Sequence, residues 1–117
     1  MVVKVASIYI IKNKINNKVY IGQTIQPINI RFLNHKMASR QEDTKFYRAI
    51  RKYGEENFYI ELLETVPIQD LNEREKYWIN YYDSYNNGYN STLGGDGILK
   101  LDYNFIYKEW LNGKSII

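Results

Sequence analysis

The sequence predicts an α/β domain, a small sheet with helices packed against it. Three observations carry the prediction. Residues 5–22, VASIYIIKNKINNKVYIG, read as two strand runs joined by a polar turn. Residues 58–64, FYIELLE, form a third strand pattern. Between and after them, three stretches space apolar residues three and four apart, the helical period. The 117 residues, 44% of them apolar, allow one modest core: one domain, with room for part of a second.

In the hairpin, Val5, Ser7, Tyr9 and Ile11 alternate with Ala6, Ile8 and Ile10. The run is apolar on both faces, which predicts a central strand. Asn16 and Asn17 supply the turn. Lys18, Val19, Tyr20 and Ile21 return, and Gly22 ends the strand where the chain can turn sharply. Thr24 is placed to cap a short turn and Pro27 to stand in the first turn of a helix. Ile28, Arg31, Phe32 and His35 then share one helical face. Ile28 and Phe32 anchor that face, while Arg31 and His35 set polar groups beside them.

Residues 38–43 read as a loop. A second helix over Lys45–Tyr53 gathers Phe46, Ala49, Ile50 and Tyr53 on one side, and Gly54 stops it. The third strand turns Phe58, Ile60 and Leu62 inward and ends before Pro67. Asp70 with Glu73 has the form of a capping box opening a helix from Leu71 to about Tyr82. Its apolar stripe is Leu71, Trp78, Ile79 and Tyr82. Glu75 falls on that stripe and Glu73 lies further round the helix. An inward carboxylate needs an answer: a metal, an arginine or hydrogen bonds. Residues 83–97 are rich in turn formers and close the first unit. The expected domain is therefore 1–97. Residues 98–117, with a helical pattern over 101–111, read as a linker or the start of a truncated downstream region.

The net charge of +3 is unevenly placed. Residues 1–60 hold eleven Lys or Arg against four Asp or Glu, and residues 61–117 hold five against nine. A basic half suits a polyanion such as DNA. With no cysteine there is neither a disulfide framework nor a thiolate zinc site, and one histidine excludes a multi-histidine cluster. A metal would rest on carboxylate oxygen and water, ligands that suit Mg²⁺ or Mn²⁺. The apolar start is broken by Lys12 and Lys14 and lacks a cleavage site. No run reaches transmembrane length. The expectation is an intracellular protein with no membrane partner, in host cytoplasm or nucleus.

The chain offers tyrosines near strand ends, an inward arginine, one histidine and one striped glutamate, and the chemistry they suggest as a hypothesis is phosphodiester hydrolysis. The reaction needs a base for water, a cation over the growing charge and help for the leaving oxygen. Plainer readings stand beside this one. Tyr9 and Tyr20 could be core-edge aromatics, Arg31 and His35 surface residues. Glu75 could pair with Arg31 and no metal, and Asn90 could serve its turn alone.

Ser7-Ile8-Tyr9 and Tyr20-Ile21-Gly22, separated by residues 10–19, resemble the signature of the GIY-YIG nuclease family, with Ser7 in place of the first glycine. The resemblance covers about residues 5–97. The stretches NNKVYIG, Tyr53-Gly54 through to Phe58, and LNEREKYWI look most like the phage and intron homing-endonuclease branch. It implies a three-stranded antiparallel sheet flanked by helices and a metal-dependent endonuclease that cuts double-stranded DNA. Residue by residue, it implies a pocket with Tyr9 and Tyr20, either of them the base, Arg31 on the phosphate, and His35 as a relay or a phosphate contact. It places one Mg²⁺ or Mn²⁺ on Glu75, and matches Asn90 within Gly88-Tyr89-Asn90. Lys18, Lys36, Lys45, Arg48, Arg51 and Lys52 are candidate phosphate contacts. Residues 98–117 would then open a DNA-binding region of the same parent chain. A structure-selective repair or recombination nuclease and a non-catalytic nucleic-acid-binding domain are the alternatives.

Overall fold

The computed structural model describes residues 4–94. Three strands, β1 (Val5–Asn13), β2 (Val19–Thr24) and β3 (Phe58–Pro67), form one antiparallel sheet in the order β2-β1-β3. Between β2 and β3 stand α1 (Ile28–Ala38) and α2 (Lys45–Tyr53); after β3 come α3 (Leu71–Tyr82) and the single turn α4 (Ser84–Asn87). The doubly apolar run of β1 is indeed the central strand: Ile8, Tyr9, Ile10 and Ile11 are all fully buried. Asn17, with φ of 63°, makes the hairpin turn.

The sheet carries a different core on each face. On one, Ile8, Ile10, Val19, Ile21 and Val66 pack against Leu71 and Ile79 of α3, an aliphatic layer. On the other, Tyr9, Ile11 and Phe58 pack against Phe46, Tyr47, Ala49 and Ile50 of α2, with Ile28 and Phe32 of α1 at the margin. Thr44 accepts the Tyr47 backbone N–H at 3.1 Å and so caps α2, and Gly54 (φ 93°) ends it in a conformation that glycine tolerates best.

Five local expectations need correction. The return strand does not end at Gly22 but runs on to Thr24, because Gly22 pairs with Tyr9 across the ladder. The third strand reaches Pro67, tolerated at the end of an edge strand. Its inward set is not buried at Leu62: the residue keeps the face of Phe58 and Ile60, opposite Tyr9, but is 52% exposed on an edge strand, just before the register jumps from Tyr9↔Leu62 to Ile8↔Glu64. The extra residue, Leu63, turns to the aliphatic core instead. Asp70 precedes α3, but its side chain accepts no capping hydrogen bond. A short 3₁₀ turn, Ile68–Asp70, feeds the chain into the helix already in helical conformation. Within 83–97, residues Ser84–Asn87 are helical rather than irregular. The expected boundary at residue 97 and the pattern over 101–111 lie outside the described residues.

Candidate active site

Tyr9, Tyr20, Arg31, Glu75 and Asn90 meet at the outer edge of the sheet, beside β2. Tyr9 and Tyr20 leave β1 and β2 on the aromatic face of the sheet. Their rings are 6.3 Å apart. Tyr9 crosses directly over Gly22: a Cβ there would come within 2.3 Å of the Tyr9 hydroxyl. Gly22 is thus glycine for closeness of approach, and the second triplet of the motif is a seat for the tyrosine of the first. Tyr20 lies flat on Phe46, with centroids 4.3 Å apart and planes 5° from parallel.

Behind the tyrosines sits His35, 1% exposed. Tyr9 Oη lies 2.6 Å from its Nε2, and Tyr47 Oη lies 2.7 Å from its Nδ1. One imidazole therefore joins two phenols in a line. Burial first, and the Arg31 guanidinium second, push His35 down to about 3, so it is neutral at physiological pH. A neutral ring accepts at one nitrogen and donates at the other, which suits both contacts at once. Burial likewise pushes Tyr20 up to about 12 and Tyr9 well above the usual phenol range, Arg31 opposing in each case. Burial works to lower Arg31, but the phenols of Tyr9, Tyr20 and Tyr47 outweigh it and hold the guanidinium firmly charged.

Glu75 arrives from the opposite face of the sheet. It is 8% exposed on α3, while Glu73 is exposed, as the helical stripe requires. Gln23 Nε2 donates to Glu75 Oε1 at 3.1 Å. Asn90 clasps the edge strand: its Oδ1 accepts from the Ile21 N–H and its Nδ2 donates to the Ile21 carbonyl, each at 2.8 Å. Tyr89 adds a backbone bond to the Val19 carbonyl at 2.9 Å. Residues 89–90 thus cover an edge that would otherwise lie open, and they fix Tyr20 between two anchored neighbours.

Tyr9, Tyr20, Arg31, Glu75 and Asn90 line one cavity of about 440 Å³. His35 is not in its wall but one layer behind. Phe46, expected only as a core residue of the second helix, also lines it, as do Gln23 and Tyr47, which sequence patterns do not single out. For Gln23 a signal existed: it follows Ile21 by two residues and so shares its face of β2. Tyr47 lies next to Phe46, off the stripe used to define α2. Its partner comes from another helix, which periodicity does not show.

The basic residues are more dispersed. Lys45 and Arg48 line a second hollow that shares Thr44 and Ser91 with the first. Arg51 is committed to its own neighbourhood, with the Ser39 and Glu42 carbonyls and Asp43. Lys36 and Lys52 lie over the rings of Phe32 and Tyr53, and Lys18 is exposed at the hairpin end.

Glu75 and, at the exposed rim, Glu42 are the acidic residues of the cavity. Among the described residues no three of His, Cys, Asp and Glu cluster. That donor set does not suit a closed zinc cage. It fits a hydrated Mg²⁺-like ion, which keeps most of its waters and takes one or two carboxylates.

Paired tyrosines, an arginine and a carboxylate from separate elements, gathered at the edge of a three-stranded sheet, define a small nuclease domain. The chain belongs to the GIY-YIG family: the model of the GIY-YIG catalytic domain matches residues 5–90. Intron-associated endonuclease 1 of Enterobacteria phage T4 is 34% identical over 90 residues, 73% of this chain and 36% of that protein. Protein 019R of Invertebrate iridescent virus 6 is 36% identical over 93 residues, 74% of this chain and 33% of its own length. The structure of the catalytic domain of the homing endonuclease I-TevI superposes with a TM-score of 0.66 at 33% identity, covering 74% of this chain and 98% of that one. The present chain spans about a third of the length of the curated relatives it matches.

Proposed function

We propose that this chain is the catalytic domain of a homing-type endonuclease that hydrolyses double-stranded DNA with one Mg²⁺ or Mn²⁺. The observation that carries the reading is the convergence of Tyr9, Tyr20, Arg31 and Glu75 on one cavity from both faces of the sheet. The guanidinium fork of Arg31 holds two non-bridging phosphate oxygens and answers the charge that grows on them. Tyr9 takes the proton of the attacking water as its own proton passes to His35 Nε2. The Nδ1 proton of His35 passes to Tyr47, which releases one to the water of the cavity. The short contacts on both nitrogens support this route, and so does a ring whose proton affinity is too low to keep what it receives. Tyr20 shapes the water's position from its seat on Phe46. Glu75 would hold the divalent ion, which when bound would supply stabilisation of the charge on the leaving oxygen. Asn90 serves by holding the edge of β2. Lys45 and Arg48, beside the second hollow, are the basic residues best placed to receive the flanking backbone. Sequence reading falls to a region of the parent outside this domain.

The test is scission of supercoiled plasmid by the full chain in Mg²⁺, with Mn²⁺ binding measured by calorimetry. Wild type should nick, and Glu75→Gln should lose cleavage and Mn²⁺ affinity while keeping its fold. Retention of DNA with no metal-dependent scission by wild type would overturn the enzyme reading. Unchanged rate and affinity in Glu75→Gln would overturn the metal assignment.

A further inference from the structure

Gln23 stands on the edge strand with its side chain turned toward α3. Its Nε2 donates twice, to Asn72 Oδ1 at 2.9 Å and to Glu75 Oε1 at 3.1 Å. Both acceptors lie in the first turns of α3 and face the strand together. These partners fix which way the amide points. Turned over, it would set its own oxygen against the Glu75 carboxylate, two acceptors face to face. In the orientation it holds, Gln23 Oε1 is buried and has no hydrogen-bond partner among the described residues.

Buried amide oxygens are ordinarily paired, and one left alone calls for a reason. A glutamine that served packing alone would settle where both ends of its amide are satisfied. This one keeps its donor on Glu75 at the expense of its acceptor. The carboxylate torsion of a glutamate is broad and two-fold, so a lone Glu ligand is poorly aimed by its own rotamer. A donor on one oxygen selects one orientation. A neutral amide does so without adding a positive charge that would compete with a cation, as lysine or arginine would.

We propose that Gln23 is a positioning residue for the divalent cation: clamped by Asn72, it fixes the orientation of the Glu75 carboxylate through Oε1. The inference rests on the metal role given to Glu75 above and extends it to a residue that touches neither phosphate nor ion. Groups that orient a ligand in this way typically alter metal affinity ten- to a hundredfold when removed.

The test uses Gln23→Met, which keeps the length and removes the donor. The full chain is titrated with Mn²⁺, and single-turnover plasmid cleavage is followed against Mn²⁺ concentration. The expected result is a Kd for Mn²⁺ about ten- to a hundredfold weaker, with the maximal rate recovered at saturating Mn²⁺ and cooperative thermal unfolding retained. A structural role alone would not give that split between metal affinity and maximal rate. Asn72→Ala leaves Gln23 in place but frees its amide, and should weaken Mn²⁺ binding less, in the same direction. If Gln23→Met binds Mn²⁺ as wild type does, the proposal is overturned. If Gln23→Met fails to fold, an unchanged affinity in Asn72→Ala overturns it. Loss of Mn²⁺ binding in Glu75→Gln with full binding in Gln23→Met would sink this inference and leave the function standing. Wild type that binds no Mn²⁺ would sink the metal reading and the inference with it.

Discussion

The two faces of the sheet are built from different chemistry. Against α3 lies an aliphatic layer of Ile8, Ile10, Val19, Ile21, Leu71 and Ile79. Such side chains need no partners, and each contributes through the area it removes from water. Against α1 and α2 lies a layer of rings, with Tyr9, Tyr20, His35, Phe46, Tyr47 and Tyr89 in mutual contact. These bury hydroxyls and an imidazole that cost free energy unless each is paired. The aliphatic face supplies stability, and the aromatic face spends part of it on a site. Glu75 crosses this division: it rises from the aliphatic side and reaches the cavity past the edge of β2, where the sheet is one strand from solvent.

Neighbours in sequence can test the division most sharply. Ile10 and Tyr9 are adjacent on β1 and face opposite ways. Ile10→Ala should cost about 2–5 kcal/mol of stability, the range for deleting a fully buried aliphatic side chain. Urea unfolding should show the lowered midpoint. The cleavage rate per folded molecule should stay within about twofold, since the transition-state contacts lie across the sheet. A large rate loss in molecules shown to be folded would mean that the two faces are not separable.

Arg31→Ala should give the converse result. Removing the charge over the phosphate should cost about 2.7–4 kcal/mol of transition-state stabilisation, a loss of roughly 10²–10³ in single-turnover rate. The unfolding midpoint should change little, because the cost of burying the guanidinium is offset by the phenols of Tyr9, Tyr20 and Tyr47 around it. Arg31→Lys should recover little, lacking the two-point fork. A folded Arg31→Ala that cuts at a near-normal rate would remove the residue from the mechanism.

The same division explains what could be read from the sequence. Tyr9 and Tyr20 were legible because strand alternation assigns them a face, and Glu75 because the helical period sets it between Leu71 and Ile79 while Glu73 falls outside. Those are properties of one element at a time. Gly22 reads from sequence as a strand end, but its reason is the ring of Tyr9 on the neighbouring strand. Alternation gives Leu62 the right face, opposite Tyr9, but not its burial, because β3 is an edge strand and the cover over that position is a matter of tertiary packing. The aspartate–glutamate pair at Asp70 and Glu73 looked like a cap, but the 3₁₀ turn before it had already set the backbone. Alternation gives Gln23 its face, but its partner, like that of Tyr47, comes from another element, which no single-element pattern shows.

The smallest effect expected is also the cleanest to isolate, because the chain has one histidine. In the folded protein His35 resists protonation down to about 3, held there by burial and by Arg31. In the unfolded chain an ordinary histidine protonates near 6.5. Between these values the unfolded state binds one more proton than the folded state, so stability must fall as pH falls. The slope approaches, and for one site does not exceed, about 1.4 kcal/mol per pH unit. Ordinary carboxylates titrate below about pH 5, so the window from 6.5 to 5 is where the histidine stands apart from them, and the comparison with His35→Gln isolates its share. Urea midpoints across that window should decline for wild type and stay level for His35→Gln, which keeps a hydrogen-bonding amide and cannot be charged. The cleavage rate should show no inflection near 6.5, since the relay works with a neutral ring throughout. A flat wild-type stability profile, or the same slope in His35→Gln, would mean that the imidazole is not held neutral between Tyr9 and Tyr47. The aromatic face would then carry a charge at its centre, and the proton route through it would fail.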